Sequence, residues 1–256
     1  MARSIVLALL AALGSTGPLE SCYGLEYRVT LMPDGNGKIE ILVSQELNDS
    51  ELKAPFPLLD FAESMEGFAA FTPAKEEIKD GWRHASFTVY FDDINKLHYY
   101  VDLAKDKKCN GKDHDKCVHF SLVRGDTGLT LTIEDWVFSN KENRTPKDNW
   151  DAVRKDSANV IQWNVTMPGK ATRIEGFQKM EGRSASYERS SKTITKVEDA
   201  VKWPLCGRRV VECGKPEIKN AVEAAFKGEM HKAKAAWPKI REDLEAARRK
   251  AEAEKK

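Results

Sequence analysis

The sequence predicts an α+β fold: a mainly antiparallel β-sheet with one short helix, followed by a long C-terminal helical segment. Between about residues 25 and 205, several segments alternate apolar and polar side chains, which is typical of half-buried strands. After Lys215 the apolar residues instead recur every three or four positions, which is typical of one helix face. A strand-rich part followed by a helical part favours the α+β class.

Composition excludes several classes of protein. The chain has 256 residues, 41% of them hydrophobic, with ten Phe, six Trp and six Tyr, so it can bury a core and is not generally disordered. A mean hydropathy of −0.54 excludes a polytopic membrane protein. The 41 Lys and Arg nearly balance the 40 Asp and Glu, which argues against nucleic acid as a partner.

The first 21 residues predict a signal peptide. The basic residue Arg3 precedes nine apolar residues at 5–13, and a segment of mostly small residues, GSTGP, follows them. Nine helical residues span only about 13 Å, less than half of a hydrocarbon core about 30 Å thick, so they do not form an ordinary transmembrane helix. A buried N-terminal helix is the alternative.

Four residues at 19–22, Leu-Glu-Ser-Cys, resemble the lipobox of bacterial lipoproteins. Leu19 lies three positions before Cys22 and a small residue lies just before it, whereas Glu20 departs from the usual small or apolar residue. The resemblance implies cleavage before Cys22, lipid attachment to that cysteine, and the membrane as a partner through this anchor. The alternative is soluble secretion with Cys22 as a spare thiol.

Five cysteines agree with export, because an odd number in an exported chain leaves one for another role. Two local pairs, Cys109/Cys117 and Cys206/Cys213, are predicted to form disulfides, as an oxidising compartment permits. Each would contribute about 2–3 kcal/mol by closing a short loop. The remaining Cys22 is then available for a lipid.

The first strands and the short helix follow the signal peptide. Residues 25–31 and 38–43 alternate around a Pro-Asp-Gly-Asn-Gly turn and predict a β-hairpin. Residues 57–71 predict an amphipathic helix. Its apolar face contains Leu58, Phe61, Ala62 and Met65.

Later strands complete an α+β envelope domain predicted over 22–205. Further alternating segments, together with a second hairpin around the turn at 124–128, bring the expected number of strands to about seven. They cover 85–91, 118–123, 129–138 and 160–167, and residues 171–174, 185–187 and 192–197 are candidates for additional shorter strands.

The segment 206–256 is predicted to be a loop closed by Cys206 and Cys213 and then a charged helix, bent near Pro238. Residues 214–256 carry 12 Lys and Arg against 8 Asp and Glu, so a basic face could meet an anionic membrane or wall polymer. Docking of the apolar stripe on the sheet is the alternative. The stripe consists of Ile218, Val222, Phe226, Met230, Ala233, Trp237, Ile240, Leu244, Ala247 and Ala251.

Chemically active residues are few. Cys109, His114, Cys117 and His119 are ligand types that suit zinc, but their spacing matches no familiar zinc pattern, and we expect a disulfide instead. The common hydrolase and phosphate-binding motifs are absent from the sequence. The sequence therefore predicts no catalytic residue, metal or cofactor and favours a protein that is not an enzyme. A secreted hydrolase without a short signature is kept as an alternative.

Aromatic residues such as Phe87, Tyr90 and Trp163 fall on the predicted strands. Most should pack in the core, and the sheet and helices could also enclose an apolar cleft for a lipid.

The sequence combines three features: an export signal ending near Cys22, the turn Asp34-Gly35-Asn36-Gly37, and a strand ending at 166–170 (Thr-Met-Pro-Gly-Lys). In these features the chain resembles the LppM-type lipoprotein domain of bacteria over about residues 22–200. The resemblance implies a domain anchored in the cell envelope, one that can bind lipid, and no catalytic residues. We therefore expect an exported, lipid-anchored, non-catalytic protein that binds a lipid, a glycolipid or an envelope protein. An interaction protein acting through its C-terminal helix is the first alternative.

Overall fold

A computed structural model describes residues 23–47, 56–100, 117–135, 160–190 and 207–253. Within these ranges, fourteen strands form two sheets, accompanied by two α-helices and one short 3-10 turn. The predicted α+β class, with its long C-terminal helix, is confirmed. The predicted signal peptide, Cys22, Cys109, His114 and Cys206 lie outside the described residues.

The first sheet contains eight strands. They are β1 Tyr23–Leu31, β2 Gly37–Glu46, β4 Ala70–Phe71, β5 Lys75–Lys79, β6 Trp82–Phe91, β10 Val160–Thr166, β12 Lys179–Glu181 and β13 Ser184–Ser190. Their order is β12-β13-β10-β1-β2-β6-β4, with β5 also paired to β6. The predicted β1–β2 hairpin is confirmed, and β1 is in addition paired in parallel with β10.

The second sheet contains six strands. They are β3 Met65–Glu66, β7 His98–Tyr100, β8 Cys117–Arg124, β9 Leu129–Asp135, β11 Ala171–Glu175 and β14 Gly207–Cys213. Their order is β11-β14-β9-β8-β7-β3. The predicted hairpin around residues 124–128 is confirmed as β8 and β9.

Side chains from both sheets meet in one core. Along β2, alternate residues such as Ile39, Ile41 and Val43 are buried, as the period of two requires. Trp163 of β10 stacks on Tyr27 of β1 with ring centroids 4.2 Å apart and meets Phe120 of the second sheet edge-on at 6.1 Å. The two sheets therefore form a sandwich.

Helix α1 spans Leu58–Glu63 and is shorter than the predicted 57–71. The four residues predicted on its apolar face are all buried, although Met65 belongs to β3. The helix ends with Ser64 as its C-cap, and after β3 the chain turns at Gly67, whose φ of 77° is a left-handed conformation that glycine tolerates best. Residues 65–66 and 70–71 then join opposite sheets.

Helix α2 spans Asn220–Ala253 and lies against the edge of the first sheet at β4. Its stripe residues Phe226, Met230, Ala233 and Trp237 are buried, so docking of the stripe on the sheet is the alternative that the structure supports. The helix runs past Pro238 without interruption, and the bend there stays a prediction. Among the described residues, no helix combines the length and apolar character needed to cross a bilayer.

Residues 207–213 correct one prediction. They form strand β14, between β9 and β11, rather than a loop closed by Cys206 and Cys213. A seven-residue strand spans about 20 Å, whereas a disulfide needs Cα atoms within about 7 Å. Cys213 is a buried free thiol, so the predicted Cys206–Cys213 disulfide is wrong. The Cys109–Cys117 pairing stays a prediction, because Cys109 is outside the described residues.

Candidate functional site

A groove of about 380 Å³ lies where α2 crosses the sandwich, and we call it the seam groove. Its volume is within the range of small-ligand pockets, roughly 300–1,000 Å³. Six of its eight lining residues are apolar. The lining consists of Phe56, Leu58, Pro73, Ala74, Glu76, Ile240, Asp243 and Leu244.

One wall of the seam groove is firmly built into the core. The Phe56 ring lies 5.5 Å from that of Phe61 and 5.6 Å from that of Phe87, between ring centroids. Leu58 is almost fully buried at the start of α1. This wall is therefore continuous with the packed core.

The other wall comes from α2. Ile240 and Leu244 are four residues apart and so lie on the same face of the helix. Both are half-buried, in contrast to the buried Trp237 one turn earlier. The groove is thus a shallow apolar opening beneath the second half of α2.

Both carboxylates of the lining have cationic partners. Glu76 accepts a hydrogen bond of 3.0 Å from the Phe56 backbone N–H and lies 3.3 Å from Nε of the fully buried Arg83. Asp243 lies 2.9 Å from Nζ of Lys239, and the hydrogen bond between them, aided by the Asp243 charge, raises the pKa of Lys239. The groove therefore presents apolar walls without an unbalanced negative charge.

Arg248 joins α2 to α1 beside the groove. Its guanidinium donates to Asp60 at 2.6 Å and to both carboxylate oxygens of Glu63 at 3.0 and 3.1 Å. These ion pairs hold the second half of α2 over the seam groove. Because the side chains are 35–51% exposed, each pair contributes only about 0–1 kcal/mol.

The seam groove lies in the half of the first sheet that contains the start of β1. Glu76 pairs with Ala85, which pairs with Val43, which pairs with Leu25. This row crosses three strand spacings, or about 14 Å. Tyr23, the residue that follows Cys22, is only two residues from Leu25.

A second, polar pocket of about 360 Å³ lies on the outer face of the second sheet. It is lined by His119, Phe120, Ser121, Thr132, Glu134 and Arg208. His98 lies beside His119, with ring centroids 5.9 Å apart, and Nε2 of His98 is 3.0 Å from Glu66. Arg208 is 3.2 Å from Glu175. In the described part of the chain, no three His, Cys, Asp or Glu side chains are arranged to hold a metal ion.

The residues predicted as sites are not brought together in the described structure. Cys213 is buried in the core and His119 lines the polar pocket, whereas Cys22, Cys109 and Cys206 are outside the described ranges. Cys117 begins β8. The seam groove was missed by sequence reasoning because its lining comes from three distant segments. The one available signal was that Ile240 and Leu244 continue the apolar stripe beyond Pro238.

No protein family and no curated protein matches this chain. Among solved structures, the folded domain of LppM from Mycobacterium tuberculosis is similar, with a TM-score of 0.41 and 12% sequence identity. The match covers 79% of this chain and 96% of that one. This is a weak structural resemblance, and it assigns no site or function to this chain.

Proposed function

We propose that this protein is exported, is held at the membrane by a lipid on Cys22, and binds the acyl chain of a lipid or glycolipid in the seam groove without catalysing a reaction. The observation that carries the binding proposal is the apolar lining of the seam groove, in which both carboxylates already have cationic partners. Export and anchoring are supported by the N-terminal sequence.

An acyl chain suits this groove because it offers no hydrogen bonds and gains free energy by leaving water. Each square ångström of apolar surface that is buried contributes about 25 cal/mol, so about 150 Å² would contribute about 4 kcal/mol before the entropy cost of association. Leu58, Ile240 and Leu244 supply aliphatic contact, and Phe56 supplies an aromatic one.

The position of the groove supports a role at a membrane. Because β1 begins at Tyr23, a lipid on Cys22 would attach directly to the start of a central strand of the first sheet. The groove lies in the same half of that sheet, about three strand spacings away. Anchoring would therefore keep it near the bilayer surface, where lipids are abundant.

A fluorescent fatty acid tests the binding proposal on the full mature protein. We expect wild-type protein to bind the probe, and Leu244→Glu to weaken binding at least tenfold because it places a charge in the apolar lining. Ala74 lies on the opposite wall, and Ala74→Trp should also weaken binding because the larger side chain fills the groove. Val222→Glu is the matched control, since Val222 is on the same helix, 50% exposed, and outside the groove.

Failure of wild-type protein to bind the probe would overturn the binding proposal, as would unchanged binding by both groove variants while they remain folded by circular dichroism. The intact mass of the mature protein tests the anchor separately. It should correspond to a chain that begins at Cys22 and carries acyl groups, and a mass without them contradicts lipid anchoring.

The alternative in which α2 binds a protein partner has less support. Four residues of its apolar stripe are buried against the sandwich and are therefore not available to a partner. The exposed surface of α2 is mainly charged, and many of its charges are already paired within the helix, as in Lys227–Glu223 and Arg241–Glu245.

A further inference from the structure

The two halves of α2 are attached to the sandwich very differently. In the first half, four side chains are buried, and Trp237 ends this half with its ring 5.2 Å from Phe71 and 5.8 Å from Phe68, between centroids. Of residues 239–253, all of which the structure describes, none is buried. The second half therefore has much less apolar contact with the sandwich and α1.

Pro238 separates these halves. Proline has no backbone N–H, so the carbonyl of Lys234 loses its usual helical hydrogen bond, and the ring crowds the preceding turn. Sharp changes in helix direction occur at such positions. Because Trp237 is fixed immediately before Pro238, any movement there would carry the second half and leave the first half in place.

The second half of α2 is also the part that covers the seam groove. Ile240, Asp243 and Leu244 line one side of the groove, while all the other lining residues belong to the sandwich and α1. Beyond them, Arg248 ties this half to Asp60 and Glu63. Among the described contacts, this attachment includes two half-buried aliphatic side chains and one partly exposed cluster of ion pairs.

We propose that residues 239–253 act as a hinged cover that turns at Pro238 to open the seam groove, and that Arg248 is the latch that holds the cover closed. The inference rests on the proposed function, since it assigns the control of access to that same groove. Weakly attached elements open locally far more often than the whole domain unfolds. Ligand would therefore enter and leave through this local opening.

Stopped-flow binding of the fluorescent fatty acid tests the latch. If the cover opens before binding, Arg248→Gln should raise both the association and the dissociation rate about two- to fivefold, because loss of a partly exposed ion pair changes an equilibrium by about that factor. Arg249→Gln is the matched control, since Arg249 is 69% exposed and its ion pair among the described residues is with Glu245 of the same helix, at 4.0 Å. Raising the salt concentration should accelerate wild-type protein but have little further effect on Arg248→Gln.

Hydrogen exchange of the unliganded full mature protein tests the cover without any lipid. Amides of residues 241–253 should exchange at least tenfold faster than those of residues 224–237, and Arg248→Gln should increase that difference. Equal protection of the two halves, or equal effects of Arg248→Gln and Arg249→Gln, overturns the cover. If the cover opens as described but the fatty acid does not bind, the lipid proposal alone fails.

Discussion

The interior of the sandwich and the seam between α2 and the sandwich are stabilised by different interactions. In the interior, Trp163, Tyr27 and Phe120 are buried; Trp163 stacks on Tyr27 within the first sheet and contacts Phe120 of the second sheet. At the seam, a narrow apolar stripe is flanked by exposed ion pairs, such as Lys234–Asp92 at 2.6 Å. We therefore expect the sandwich to provide most of the global stability and the seam beyond Pro238, which has no buried side chain, to open separately.

Trp163→Ala should have the largest effect, because it removes a fully buried indole that contacts both sheets. We expect a loss of about 3–5 kcal/mol in the free energy of unfolding, measured by urea titration. Trp82→Ala is the control, since Trp82 is only half-buried, at the start of β6. Similar losses in the two variants would contradict the special position of Trp163 between the sheets.

Trp237→Ala should have an intermediate and local effect. It removes the ring that contacts Phe68 and Phe71, so α2 should lose hydrogen-exchange protection while β1 and β10 keep theirs. The global free energy of unfolding should fall by less than in Trp163→Ala. Equal loss of protection in the helix and the sheet would show that the seam and the interior unfold as one unit, which would contradict separate opening of the seam.

Gly228→Ala should have the smallest effect, and the effect should be favourable. Nothing lies within 4 Å of a Cβ built at Gly228, and the residue is exposed inside α2, so alanine should stabilise the helix by about 0.5–1 kcal/mol. Thermal unfolding measures the gain.

Gly67→Ala, in the sandwich, should have the opposite effect to Gly228→Ala. A Cβ at Gly67 would lie 1.8 Å from the Lys96 carbonyl oxygen, and φ there is 77°, so alanine should destabilise the protein. A destabilising Gly228→Ala would indicate that α2 packs more tightly on that side than the described contacts show.

Local sequence patterns predicted many individual elements because their causes are local. The alternation of Leu25, Tyr27 and Val29 reflects a strand with one buried face, and the structure buries all three. The stripe of Phe226, Met230 and Trp237 similarly reflects the period of a helix. The same reasoning failed at residues 207–213, where the two cysteines suggested a closed loop although Arg209, Val211 and Cys213 alternate along a strand.

Local patterns by themselves were enough to establish the α+β class, the turn at residues 33–37 and the amphipathic character of α2, because hydrogen-bond geometry and side-chain periodicity act over a few residues. Tertiary structure alone decided that β10 pairs in parallel with β1, that β14 enters the second sheet, and that Phe56, Ala74 and Leu244 line one groove. These arrangements depend on how distant segments share the burial of apolar surface, which no short stretch of sequence specifies.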